Sequence, residues 1–190
     1  GERFRTLSEQ EELEGDWVWV DGQTRTNLTI VSYDGTPDTI VNETGPKISD
    51  LQWQLLRSTL IQNSKPGVPV CISGSMPQGV TPGNLTDLVS ELGVLGVPVF
   101  VDSSGWGLEA LLAGKPWCAK FNQDEAAMLL NRDLSSSGDV ANAALELLPQ
   151  VEELLIITMG ADGAVIASKE LGVMHVAPPK IDLVSGVGSG

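Results

Sequence analysis

The stretch from Val97 to Glu125, VPVFVDSSGWGLEALLAGKPWCAKFNQDE, holds the fold in miniature. Val97 to Val101 is a short apolar run ending at Asp102, and Trp117 to Phe121 is a second. Between them Trp106 to Leu112 reads as a short helix, and Asn122 caps a further helix. Two strands that are apolar on both faces, joined through a helix, belong to a parallel sheet.

The same rhythm extends on both sides. Upstream, Ser49 with Gln52 forms a capping box for a helix running to about Asn63. Val68 to Ile72 is a buried strand ending in Ser73-Gly74-Ser75. Thr81 and Pro82 then start a helix with Leu85, Leu88, Val89 and Leu92 on one face, which Gly96 stops. Downstream, a helix is expected over about Asp139 to Leu148 and a strand over Leu154 to Ile157, ending at Thr158. Ala164 to Ala167 and Val173 to Val176 read as a hairpin.

Before residue 46 the pattern differs. Residues 1–16 are polar and acid-rich, a surface helix or frayed lead-in. Trp17 to Val20, the turn Asp21-Gly22, and Gln23 to Ser32 form a hairpin signal. A second turn at Asp34-Gly35 leads to Asp38 to Asn42. The expectation is a three-stranded antiparallel meander, too small to stand alone. Trp17 and Trp19 on an exposed face of it would suggest a protein interface. The reading is thus a lead-in over 1–16, a β lid over 17–45, and an α/β core over 46–190.

Composition narrows the function classes. The 190 residues carry 25 acidic against 11 basic side chains, a net charge of −14. Nucleic acid and anionic membranes both require a basic surface, so neither is expected as a partner. No apolar run approaches the roughly 20 residues of a membrane span. Cys71 and Cys118 lack metal or redox spacing and read as buried thiols in a reducing compartment, the cytoplasm. The single histidine, His175, builds no triad alone. The chain opens on Gly1 rather than methionine, so an upstream segment is expected.

Candidate chemistry collects where open α/β sheets bind ligands, beyond the carboxyl ends of the strands. Ser73-Gly74-Ser75, Asp102, Lys120 with Asn122, and Thr158 with Gly160 all fall there. Asn122 and Glu125 admit two readings: a helix cap, or a helix N-terminus that receives phosphate or hydrated Mg²⁺. Arg25 is either a solvated strand residue or, if the lid folds over, a phosphate clamp. Asp102 is a general base or a structural, substrate-orienting acid. Gly186-Val-Gly188-Ser-Gly190 is an anion-binding turn or a flexible end.

Taken in order, six runs resemble the ribokinase-like (PfkB-type) sugar kinases: Thr24-Arg-Thr-Asn27, Asn42-Glu-Thr-Gly-Pro46, Ser73-Gly-Ser-Met-Pro77, Lys120-Phe-Asn-Gln-Asp-Glu125, Thr158-Met-Gly-Ala-Asp-Gly163 and Val184-Ser-Gly-Val-Gly-Ser-Gly190. The branch containing 1-phosphofructokinase and tagatose-6-phosphate kinase is the most similar. The resemblance covers residues 17–190. It implies a three-layer α/β core with a β lid that often pairs two subunits, and transfer of the ATP γ-phosphate to a sugar-phosphate hydroxyl with Mg²⁺. The implied acceptor is fructose 1-phosphate, with tagatose 6-phosphate and fructose 6-phosphate as alternatives.

By the same resemblance, Arg25 and Asn27 meet the sugar phosphate and Ser73, Gly74 and Ser75 border the sugar. Lys120, Asn122, Thr158, Gly160 and Gly163 line the nucleotide site. Glu125 organises Mg²⁺ through water and phosphates. Gly188, Ser189 and Gly190 form the anion hole, with an aspartate base expected directly after Gly190. Phe121 stands where the family usually has proline, and Gly186 where it often has threonine or serine. The 190 residues by themselves are expected to be inactive. The reading from another class is a non-catalytic binding or dimerisation module.

Overall fold

The computed structural model describes residues 1–31 and 39–179. The described residues divide into two compact units, one holding 1–31, 39–56, Pro77–Gly79 and Pro179, the other Arg57–Met76 and Val80–Pro178.

In the first unit, helix α1 (Glu2–Gln10) is followed by an extended segment and a two-stranded antiparallel sheet, β1 (Asn27–Ile30) and β2 (Thr39–Asn42). Asn27 stands opposite Asn42 and Leu28 opposite Val41. The expected strand at Trp17 to Val20 does not form. Its two indoles are instead engaged by α1. Trp17 meets Phe4 edge-on with ring centroids 5.6 Å apart, and Trp19 carries the Arg5 guanidinium 5.5 Å from its ring centre. Contacts of this kind contribute about 0.5–1.5 kcal/mol each, enough to override a local β preference. The turn at Asp34-Gly35 lies outside the described residues. Helix α2 (Asp50–Asn63) starts at the expected capping box: the Ser49 amide donates to Gln52 Oε1 at 2.9 Å and the Gln52 amide to Ser49 Oγ at 3.3 Å.

The second unit is built on a six-stranded sheet with its strands in sequence order. Strands β3 (Val70–Ser73), β4 (Val99–Asp102), β5 (Cys118–Asn122) and β6 (Leu154–Thr158) are parallel. Strands β7 (Ala164–Ser168) and β8 (Gly172–Val176) are the expected hairpin, antiparallel to β6. Helices α3 (Pro82–Val94), α4 (Gly105–Ala113), α5 (Gln123–Leu130) and α6 (Ser137–Leu147) connect the parallel strands. The class is therefore α/β with a separate small antiparallel sheet.

The four positions assigned to the inner face of α3, Leu85, Leu88, Val89 and Leu92, are all buried. Helix α3 packs on α4 and β4, and Val99 and Val101 of β4 share one sheet face with Ala119, Phe121, Leu155, Ile157, Val165 and Ala167, all buried too. Phe121 is fully buried in this layer. On the opposite face Phe100, Asp102, Lys120, Leu154, Ile156 and Ile166 are half-buried. Cys118 is buried, as expected, but Cys71 is exposed. The reason is placement: β3 is an edge strand, and Cys71 sits on its less covered face, in register with Phe100.

Candidate functional site

Parallel strands point their carboxyl ends the same way, so the register decides which candidate residues become neighbours. Ser73, the last residue of β3, pairs with Asp102, the last of β4. Asp102 pairs in turn with Lys120, and Asn122 at the end of β5 pairs with Thr158 at the end of β6. Residues as far apart in the chain as 73 and 158 thus form one row along one edge.

At the first pair the ladder continues past the strands. The Gly74 amide donates to the Asp102 carbonyl at 2.9 Å, and the buried Ser103 hydroxyl donates to the Gly74 carbonyl at 2.9 Å. The Ser73-Gly74-Ser75 turn is therefore tied to β4 from both sides. Sequence reasoning passed over Ser103, because a serine after a strand carries no distinguishing signal.

Lys120 Nζ lies 3.3 Å from Asp102 Oδ1 and 3.4 Å from Oδ2. Both side chains keep solvent contact, at 29% and 45% exposure, so the pair contributes at most about 1 kcal/mol to stability. Its consequence is positional: the ammonium is held at the sheet edge, and Asp102 has a cationic neighbour.

Asn122 caps α5 in the reciprocal manner. Its Oδ1 accepts from the Glu125 amide at 2.8 Å, while Glu125 Oε2 accepts from the Asn122 amide at 2.8 Å. The capping reading is realised, with one carboxylate oxygen engaged by the backbone at the helix N-terminus, where the dipole favours anions. Among the described residues no cluster of three or more His, Cys, Asp or Glu could enclose a metal. A single carboxylate acting through water suits Mg²⁺, which keeps much of its hydration and takes its other ligands from phosphates.

After Thr158 the chain makes a tight 3₁₀ turn, Gly160–Asp162, closed by the Met159 amide donating to the Gly163 carbonyl at 2.7 Å. Gly163 adopts φ +89°, and a Cβ there would stand 2.0 Å from the Val176 carbonyl oxygen. Only glycine lets the turn press this closely on β8.

Arg25, and Asn27 at the start of β1, lie in the first unit. There the Thr26 amide donates to Glu43 Oε2 at 2.8 Å and the Glu43 amide to the Thr26 carbonyl at 3.2 Å, lengthening the β1–β2 ribbon toward Arg25. Gly188, Ser189 and Gly190 lie outside the described residues. Among the described residues no helix is long and apolar enough to cross a membrane.

Residues 1–190 match the pfkB family carbohydrate kinase model over the whole length. The chain belongs to that family. Among curated family members, the chain is 32% identical over 189 residues to 1-phosphofructokinase of Vibrio cholerae serotype O1, covering 100% of this chain and 59% of that protein. With 1-phosphofructokinase of Haemophilus influenzae the identity is 34% over 188 residues, covering 98% and 59%. Among solved structures, phosphofructokinase-2 from Escherichia coli in complex with potassium superposes with a TM-score of 0.89 at 30% identity, over 100% of this chain and 61% of that one. The chain spans about three fifths of the length of these relatives. The family assignment agrees with the motif order.

Proposed function

We propose that this chain forms the greater part of an ATP-dependent kinase that phosphorylates a ketohexose phosphate, with fructose 1-phosphate as acceptor and fructose 1,6-bisphosphate as product. The observation that carries the reading is the row Ser73, Asp102, Lys120, Asn122 and Thr158 along one carboxyl edge, in a chain about one third identical to 1-phosphofructokinases.

In this reading Arg25 and Asn27 hold the phosphate the sugar already carries, and Ser73, Gly74 and Ser75 border its hydroxyls. Lys120, Asn122, Thr158, Gly160 and Gly163 receive the nucleotide. Glu125 orients Mg²⁺, which when bound draws negative charge from the phosphates. Gly188, Ser189 and Gly190 would offer backbone N–H groups to the transferring phosphoryl group. An aspartate directly after Gly190 would take the acceptor proton.

Two further assignments belong to the same reading. Leu28, Ile30, Ile40 and Val41 are exposed on a two-stranded ribbon that cannot stand alone, which supports a homodimer formed through the lid. The two free cysteines favour the reducing cytoplasm as its site of action.

A second reading has its own support. Escherichia coli 6-phosphofructokinase isozyme 2 is 37% identical over 126 residues, and the structure of phosphofructokinase-2 from that organism in complex with fructose-6-phosphate superposes with a TM-score of 0.87. ADP release by the full-length gene product, measured with fructose 1-phosphate, fructose 6-phosphate and tagatose 6-phosphate in parallel, separates these. Highest kcat/KM with fructose 1-phosphate is expected. Preference for either 6-phosphate reassigns the acceptor, and no turnover with any sugar phosphate favours a binding or dimerisation module.

A further inference from the structure

The single histidine takes no part in the chemistry described so far. His175 lies on β8, the edge strand, in register with Val165. Its Nε2 is 2.7 Å from the backbone carbonyl oxygen of Asp162. A carbonyl only accepts, so the imidazole must donate, which places the proton on Nε2. Asp162 closes the 3₁₀ turn between Gly160 and Gly163, the turn assigned to the nucleotide.

The turn closes the β6–β7 hairpin, whose Thr158 and Ala164 pair at its base. Its internal hydrogen bonds, from Met159 to Gly163 at 2.7 Å and from Asp162 to Met159 and Gly163 to Gly160 at 3.1 Å, fix its shape. At Gly160, φ is +57° and nothing lies within 4 Å of where a Cβ would be, so that side of the turn is open. Beyond the hairpin itself, the close approach of Gly163 to Val176 and Pro178 and the His175 hydrogen bond lay the turn against β8 and the segment that follows it. An imidazole has two rotatable bonds and little freedom to lose, which suits it to bracing a glycine-rich turn.

We propose that His175 is a positioning residue for the nucleotide: by holding the Asp162 carbonyl, it keeps the Gly160–Gly163 turn in the conformation that receives ATP or ADP. This role rests on the proposed nucleotide site and adds to it a residue of this chain that makes no contact with the reacting atoms.

The test compares the full-length gene product with its His175→Ala and His175→Gln variants, using a fluorescent N-methylanthraniloyl derivative of ADP with Mg²⁺. Losing one net hydrogen bond should weaken binding about two- to tenfold in His175→Ala. His175→Gln, whose amide can donate at similar reach, should recover most of it. KM for ATP should follow the same order while KM for the sugar phosphate stays put, and amide exchange at Asp162 and Gly163 should quicken in His175→Ala. If His175→Ala proves poorly folded, the Gln variant decides alone, and it must bind like wild type. Equal affinity in wild type and a folded His175→Ala overturns the proposal. So does a folded Gln variant as weak as Ala. Failure of the wild type to bind the probe is a different result: it removes the nucleotide site itself, and this role with it.

Discussion

In the proposed kinase Glu125 combines a structural and a chemical task, and the two are separable because a carboxylate has two oxygens. Oε2 receives the Asn122 amide at 2.8 Å and thereby caps α5. A glutamine keeps an oxygen for that bond but loses the charge. Glu125→Gln is therefore expected to leave the melting temperature within about 2 °C, since neutral substitutions that preserve a cap change stability by only a few tenths of a kcal/mol. The Mg²⁺ concentration required for half-maximal nucleotide binding should rise by about tenfold or more, the cost of removing a charge-assisted interaction. Magnesium titrations followed by nucleotide fluorescence, beside thermal melts, check both halves. A large drop in melting temperature with unchanged magnesium dependence would mean that the residue is a cap and nothing more. The capping box was legible in the spacing Asn122 to Glu125, because both partners lie within one helical turn. Which oxygen remains for a ligand was not, because that depends on the rotamer the folded chain adopts.

Helix α3 is the element whose sequence and structure agree most closely. Thr81 supplies the cap, accepting from the Asn84 amide at 3.2 Å, and the Asn84 side chain returns the bond to the Thr81 amide at 2.9 Å. Pro82 occupies the first turn, where its missing N–H costs nothing. Thr81→Ala should lower stability by about 1 kcal/mol, measured by urea denaturation, with an unchanged m-value. The Trp17 to Val20 segment is the opposite case. Alternating Trp and Val with a following Asp-Gly is a strong local signal for a strand, yet the rings of Trp17 and Trp19 pack on Phe4 and Arg5 of α1. A hairpin signal describes what a segment favours alone, and it is silent about the aromatic and cationic partners that Phe4 and Arg5 offer from an upstream helix. The strand at β1 also starts at Asn27 rather than Gln23, since pairing begins only where β2 provides a partner in Asn42.

For the molecule as a whole, the two cysteines report on which parts of the sheet are closed. Burial, with a smaller contribution from neighbouring Cys71, pushes the Cys118 thiol from the usual 9.0 up to about 11. A thiol that ionises more easily unfolded than folded stabilises the fold below the unfolded value and loses that contribution as the pH climbs through the folded one. Stability to urea should therefore decline between pH 9 and about 11. Cys118→Ala should flatten that decline, though at a lower starting stability because a buried group is lost. A wild-type curve level over this range would contradict the burial of Cys118. The chain's periodicities were enough for the α/β class, the order of helices and strands, and the families of residues at strand ends, because each depends on side chains a turn or a few residues apart. Strand register, the Asp102–Lys120 pair, the grip of Ser103 on Gly74, and the reach of His175 to Asp162 came only with the tertiary structure. The three side-chain contacts join residues 13 to 29 positions apart. Their existence depends on how the sheet assembles, and no local pattern encodes the partner.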